Sequence, residues 1–464
     1  MVFSSDVFLL LFLPIVFVGN LLVKKYSNFF LLLASLFFYA WGEPYLVLLL
    51  MFSILLNWSI GLGLSKTTGT IRKILLLSGI ICDLGILVFY KYAGFLAEII
   101  YAISVKALIP VFNTTLPIGI SFFTFQALSY IIDVYKGDTD ASVNPVNTAL
   151  YISFFPQLIA GPIVKYRDIN KQIEKRSISI TDVSDGFKRF IYGLGKKVLI
   201  ANVLGMCVDT IYTYDITIID CRTAWIGAIA YTFQIYYDFS GYSDMAIGLG
   251  KMFGFSIPEN FRYPYLSHSI SEFWRRWHIS LGSWFKEYVY IPLGGNRKGT
   301  ARTYINLILI FILTGLWHGA DMSFIIWGLF HGLFIILERI GLKKLLDRSK
   351  ILSVVYTFFI VNIGWVLFRA DDTLSGLTYI SKMIFPQNNP DVNIALWNYM
   401  DNKTVFVFIC ALAGMGIIKT LTPEKIKKLW NNSVIEAVYC VCVLLLCLAS
   451  IAADTYNPFI YFQF

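Results

Sequence analysis

Apolar runs near the length of a bilayer crossing follow one another along this chain, separated by short polar turns. A helix needs about 20 mostly apolar residues to cross the hydrocarbon core. The first run, Val7–Val23, ends at Lys24-Lys25, and Asn28–Trp41 and Tyr45–Leu64 form a predicted hairpin about Gly42-Glu43-Pro44, a turn signal. That hairpin returns to Lys66, Arg72 and Lys73. Basic residues beside spans mark the cytoplasmic side, so both patches are expected inside and the N-terminus outside. Further spans are predicted at Ile74–Tyr90, Tyr92–Pro110, Leu116–Tyr135 and Leu150–Ile163, the last leading to the basic loop of Lys165, Arg167, Lys171, Lys175 and Arg176. This parity requires Lys91 near the outer surface, where a long side chain can snorkel.

A span over Phe187–Tyr214 and an aromatic one from Trp225 continue the series, and then the helical hydropathy breaks down between about Tyr242 and Arg302. Non-helical or amphipathic backbone at membrane depth is tolerated only inside protein or beside a water-filled cavity. This region is therefore predicted to be a re-entrant element lining a site. Spans resume at Tyr304–Trp317, Phe324–Ile340, Ile351–Phe368, Val405–Ile418 and Val434–Ala452. The pattern predicts an all-α polytopic membrane protein with about 11–14 membrane-inserted segments, some short or re-entrant. It reads as a single domain over residues 1–464, with the catalytic core expected at about 115–340. No internal repeat is evident, which disfavours transporters built on inverted repeats.

Composition agrees and removes other classes. Of 464 residues 57% are hydrophobic and only 14% charged, against about 25% charged in soluble domains. The mean hydropathy of +0.67 is too high for one soluble core. The net charge of +9 lies in short clusters between apolar runs, the positive-inside pattern rather than a nucleic-acid face. The seven cysteines sit mostly in apolar segments without metal-ligand spacing, and read as small buried hydrophobes. The first apolar run lacks the basic flank and small-residue site of a cleaved signal, so it is expected to remain as a span.

Within the irregular region, Phe273–Glu287 reads FWRRWHISLGSWFKE. At helical spacing Phe273, Trp277, Leu281, Trp284 and Tyr288 form one stripe, with Arg275, Arg276, Ser280, Ser283, Lys286 and Glu287 largely off it. An interfacial amphipathic helix with an aromatic belt would look like this. So would a helix whose basic face meets an anionic donor while His278 points into a chamber. His318, in LTGLWHGA, ends an apolar run between Gly315 and Gly319. Ionisable residues in spans usually face a cavity or bundle interior, and a neutral imidazole suits general base catalysis on a hydroxyl. The glycines would let a backbone or ligand come close. His331 is expected to pack or hydrogen-bond, and His268 to sit at a polar interface. No HxxxH or HExxH spacing suggests a metal. The turn Ile291–Gly299 lacks the Walker spacing and is only a weak phosphate cradle. Asp83, Asp133, Asp238 and Asp244 are the acids that a proton-relaying transporter could use.

The motifs also carry a resemblance. LPIGISFFTFQALSYIIDVY, FFPQLIAGPIVKY, YYDFSGYSDMAIGLGKMFGF, PENFRYPY, FWRRWHISLGSWFKEYVYIPLGGNR, LTGLWHGA and the terminal NPFIYFQF occur in one order across nearly the whole chain. Together they resemble the membrane-bound O-acyltransferase (MBOAT) family, in its alginate O-acetylase branch. Gly282, where Ser is common, and Lys286-Glu287, in place of Arg-Asp, are small departures. The resemblance implies a fold of membrane helices around a central funnel, in a bacterial inner membrane. It implies that His318 is catalytic and matches His278 to the family's second histidine. Trp274, Arg275, Arg276, Trp277 and Trp317 would hold the donor, with no metal. It further implies transfer of acetyl from a cytoplasmic donor, acetyl-CoA, toward an exported or cell-wall polysaccharide. A secreted or membrane-anchored extracytoplasmic acetyltransferase would be the partner, and no nucleic acid is involved. His318 would act as base and His278 would orient or polarise the donor carbonyl; a covalent acyl-histidine step is a variant. The competing expectations are a D-alanyl transferase acting on teichoic acid, a polysaccharide transporter and a structural assembly subunit.

Overall fold

The computed structural model describes residues 1–103, 115–385, 395–417, 433–453 and 456–460. Among them there is helix but no strand. The principal helices are α1 Phe8–Leu22, α2 Ser27–Gly42, α3 Val47–Lys66, α4 Gly69–Ile103, α5 Ile120–Lys136, α6 Ile180–Thr213 and α7 Cys221–Met252. Then come two short helices, α8 Ile270–Arg276 and α9 Ile279–Phe285. These are followed by α10 Thr300–His318, α11 Met322–Leu337, α12 Lys350–Arg369, α13 Thr373–Ile384, α14 Asn402–Leu412 and α15 Ser433–Ala453. Among the described residues seven helices are long and apolar enough to cross a membrane, eight if the bent pair α1–α2 forms one span. The chain is a multi-pass, all-α membrane protein.

Most predicted spans appear within a few residues of their expected ends, because lipid-facing helices must satisfy their own backbone and be apolar throughout. Two do not. The spans predicted at Ile74–Tyr90 and Tyr92–Pro110 are one continuous helix, α4, as far as Ile103, and the remainder of the second lies outside the described residues; Lys91 does not interrupt the helix, and its side-chain nitrogen donates to Ser121 Oγ at 3.4 Å. The span predicted at Leu150–Ile163 is instead two short helices, Pro145–Ser153 and Phe155–Leu158, followed by non-helical chain. Pro156 and Gly161-Pro162 break the helix, and residues 148–166 are all buried. This apolar run faces protein rather than lipid, a distinction hydropathy does not make.

By internal contacts the chain forms two compact units, Met1–Phe190 with Ser243–Pro258, and Ile191–Tyr242 with Glu259–Phe464. In the first, Phe3, Phe8, Phe12, Phe38 and Phe155 pack ring on ring, with Phe12 and Phe155 edge-to-face at 5.3 Å. α3 packs on α4 and α5, and the α3–α4 pair buries a hydrogen bond from Asn57 to Asp83 at 2.9 Å. In the second unit, Phe273, Trp277, Trp327, Trp365 and Phe368 form an aromatic core. The same unit contains a buried ion pair, Lys197–Asp238 at 2.7 Å, whose carboxylate also accepts from the Ile460 amide.

Candidate active site

The second unit contains, wholly within itself, a cavity of about 380 Å³ lined from α8, α9 and the last turns of α10. His278 and His318, separated by a whole helix in sequence, both line it, together with Trp274, Arg275 and Trp277.

His318 is delivered by a regular hairpin. It is the last residue of α10, and α11 begins at Met322 under an N-cap in which Asp321 accepts from the Ser323 amide. The two helices meet glycine to backbone. A Cβ on Gly315 would overlap the Phe324 carbonyl oxygen, and one on Gly328 the Phe311 carbonyl oxygen. Gly319 sits under the Phe324 ring. The close approach that the glycines allow is thus taken by the partner helix. His318 is buried, and the rings of Trp317, Trp327 and Phe368 surround it at 4.8, 5.2 and 5.1 Å between centroids.

His278 is delivered by an irregular segment. The single amphipathic stripe predicted over Phe273–Tyr288 is buried at all five positions, yet the helix breaks in its middle. α8 ends at Arg276, and His278 takes left-handed backbone angles, φ 44° and ψ 53°, before α9 starts at Ile279. Left-handed backbone costs an L-residue roughly 1–2 kcal/mol, so surrounding contacts must hold it. Asn260, fully buried, supplies them. Its Oδ1 lies 3.2 Å from His278 Nδ1 and accepts from the Ser280 amide at 3.2 Å and the Ser280 hydroxyl at 2.9 Å; its carbonyl accepts from the Ile279 amide. Phe239 packs edge-to-face on the imidazole at 4.6 Å. Burial pushes His278 down to about 3, so it is neutral across the physiological range.

The start of α8 is held from elsewhere. Glu338, buried in the apolar helix that continues α11, accepts from the Ile270 amide at 2.6 Å and from the Ser271 amide and hydroxyl at 3.2 and 3.0 Å. These amides are among the donors a helix N-terminus leaves open. Ser269 caps the Glu272 amide, and Glu272 accepts from the His268 amide, a variant of the capping box.

The structure therefore brings His278, His318, Trp274, Arg275 and Trp277 to one cavity. Trp317 bridges the two imidazoles, its ring 5.8 Å from that of His278. Arg276 is not at the wall; it pairs with Glu272 at 2.5 Å. His331 packs against Trp274 and Trp327, and Gly364 leaves room for its ring. His268 bonds Ser353 at 3.0 Å. The Ile291–Gly299 turn carries three positive-φ glycines and is pinned by Asn306 donating to the Gly295 carbonyl. Among the described residues no three His, Cys, Asp or Glu side chains are placed to hold a metal. The four acids considered for a proton relay are each engaged locally: Asp83 with Asn57, Asp133 with the Arg167 amide, Asp238 with Lys197 and Asp244 with Arg189. Two residues of the site are not marked by the sequence pattern: Asn260 lies unremarked within PENFRYPY, and the place of Glu338 at the end of an apolar run is its only signal.

Comparison with known proteins places this architecture. Residues 139–368 match the model of MBOAT, the membrane-bound O-acyltransferase family. The chain is 41% identical over 494 aligned positions to a probable alginate O-acetylase of Pseudomonas putida, covering all of both chains. It is 37% identical to a peptidoglycan O-acetyltransferase of Helicobacter pylori, over 83% of this chain and 80% of that one. Similarity to a teichoic acid D-alanyltransferase of Bacillus subtilis is 30%, over 54% of this chain and 68% of that one. The chain belongs to the membrane-bound O-acyltransferase family. It is an O-acyltransferase, and its similarity to probable alginate O-acetylases runs along the whole chain.

Proposed function

We propose that this enzyme moves acetyl groups from acetyl-CoA, reaching it from the cytoplasm, to a hydroxyl acceptor bound for an exported or cell-wall polysaccharide of the alginate type. The observation that carries the reading is the convergence of His278 and His318 on one cavity. Its wall holds the cations Arg275 and Lys286 beside a single acid, Glu287, which suits an anionic thioester donor. The full-length similarity to alginate O-acetylases supports acetyl, and the shorter, weaker similarity to the D-alanyltransferase supports D-alanyl less. An extracytoplasmic acetyltransferase is the proposed partner and the bacterial inner membrane the proposed location.

In the proposed step the acceptor oxygen attacks the thioester carbonyl carbon, forming C–O as C–S breaks. His318 takes the hydroxyl proton, which then passes to the leaving sulfur. Trp274, Trp277 and Arg275 hold the donor, and Trp317 orients the two imidazoles. His318→Ala is expected to lower acetylation by about 10²–10⁴-fold, the usual contribution of a general base. Polymer acetylation in a complemented deletion strain, with membrane content checked by immunoblot, measures it. Normal acetylation at normal membrane content would overturn the assignment.

A further inference from the structure

The tautomer of His278 can be read from its surroundings. Asn260 Oδ1 receives the Ser280 backbone amide at 3.2 Å. A backbone N–H can only donate, so that amide-group atom is the oxygen and not the nitrogen. The oxygen can only accept, and His278 Nδ1 lies 3.2 Å from it. Nδ1 therefore carries the proton. Desolvation keeps the ring neutral, so Nε2 holds a lone pair and no hydrogen. The left-handed backbone at His278 and the Ile279 amide bonded to the Asn260 carbonyl fix the ring in that pose.

We propose that Asn260 is a positioning residue that locks His278 as the Nδ1–H tautomer, so that its other ring nitrogen, Nε2, is a hydrogen-bond acceptor. This rests on the acyl-transfer reading of the cavity and changes the expected role of His278 within it. Polarising a carbonyl requires an N–H at Nε2; the locked ring offers a lone pair instead. His278 meets the hydroxyl of the acyl acceptor, the X–H partner in the reaction, and stands with His318 on the proton-accepting side. It can accept a hydrogen bond from that hydroxyl while His318 takes the proton as C–O forms and passes it to the sulfur as C–S breaks, and it has no proton to give to the carbonyl oxygen. Polarisation falls to N–H donors on the same wall. Arg275, exposed and on that wall, forms no ion pair among the described residues.

Nitrogen-15 magic-angle-spinning spectra of the full chain, labelled at histidine and held in lipid bilayers at neutral pH, test this directly. His278→Gln identifies the resonances. The expected spectrum has a pyrrole-type Nδ1 and a pyridine-type Nε2 at His278, and Asn260→Ala converts it to a mixture of tautomers. A pyrrole-type Nε2 in the unaltered protein would overturn the proposal, as would an Asn260→Ala spectrum that does not change. Should Asn260→Ala fail to fold, the isosteric Asn260→Asp is expected to show an imidazolium at His278 near pH 6, where the unaltered protein stays neutral. In turnover assays Asn260→Ala is expected to lose about 10²-fold in kcat with little change in KM. The spectra need no turnover. A locked tautomer in a chain without acyl transfer would sink the proposed function alone, and the reverse result would sink the tautomer alone.

Discussion

The two imidazoles reach the same cavity by opposite means. The α10–α11 hairpin positions His318 through regular helix geometry and glycine-to-backbone packing, with the Asp321 cap at its turn. The α8–α9 segment positions His278 through a strained backbone, a buried asparagine and a buried glutamate. The first arrangement resists anything larger than hydrogen at a few positions; the second depends on a few hydrogen bonds. Errors in the two regions should therefore look different.

The largest stability effect is expected in the hairpin. Gly328→Leu drives side-chain atoms into the Phe311 carbonyl and should cost more than about 3 kcal/mol, beyond the usual range for overpacking because backbone must move. Thermal unfolding in detergent should show a large drop or no folded protein. Wild-type melting would mean that the helices do not touch as described. Glu338→Ala tests the other region. It leaves the Ile270 and Ser271 amides without their acceptor and is expected to cost about 1–3 kcal/mol, with Glu338→Gln recovering part of it. Activity should fall further than stability, because α8 carries the cavity wall.

A smaller effect separates strain from chemistry at His278. His278→Gly should be more stable than His278→Ala by roughly 1 kcal/mol, since glycine adopts the left-handed conformation freely, while both lose activity alike. Equal melting temperatures would show the strain to be negligible. The same residue sets a pH response. Its folded pKa, about 3, lies below the unfolded value of 6.5, so on acidification the unfolded chain takes the proton first. Stability should be flat above pH 6.5, fall as pH drops toward 3, and fall less in His278→Gln. A stability maximum below pH 5 would contradict a neutral His278. Smallest is the contrast between the two arginines. Arg275→Gln should raise KM for the donor by on the order of 10-fold, equivalent to about 1.4 kcal/mol, whereas Arg276→Gln, which loses a half-exposed ion pair, should cost less than about 1 kcal/mol of stability and leave KM unchanged. Equal KM effects from both would return Arg276 to the donor wall.

The same contrast explains what could be read in advance. α10, α11 and α12 were legible to within about four residues at each end, since a helix against lipid must be apolar throughout and must end where polar groups begin. The pairing of His278 with His318 came from family motifs rather than hydropathy. The break at Trp277–His278 was not legible, because the buried stripe keeps helical spacing across it and only the αL backbone of His278 reveals the interruption. Asn260 lies 18 residues from His278 in sequence, and no periodicity links them. Lys91 looked like a boundary and is not one, because a side-chain bond to Ser121 accommodates it within α4.

Glu338 carries a further consequence, for how the enzyme is made. An acidic side chain within an apolar segment is costly to leave facing lipid, and here its oxygens are occupied by the first amides of α8. The membrane segment bearing it is therefore fully compatible with the bilayer only once the site helix has docked. A chain whose α8 is damaged leaves that buried carboxylate without its amide donors, a desolvated charge that the surrounding helices must move to relieve. Assembly of the cavity wall and seating of the helix that follows α11 are therefore one event rather than two.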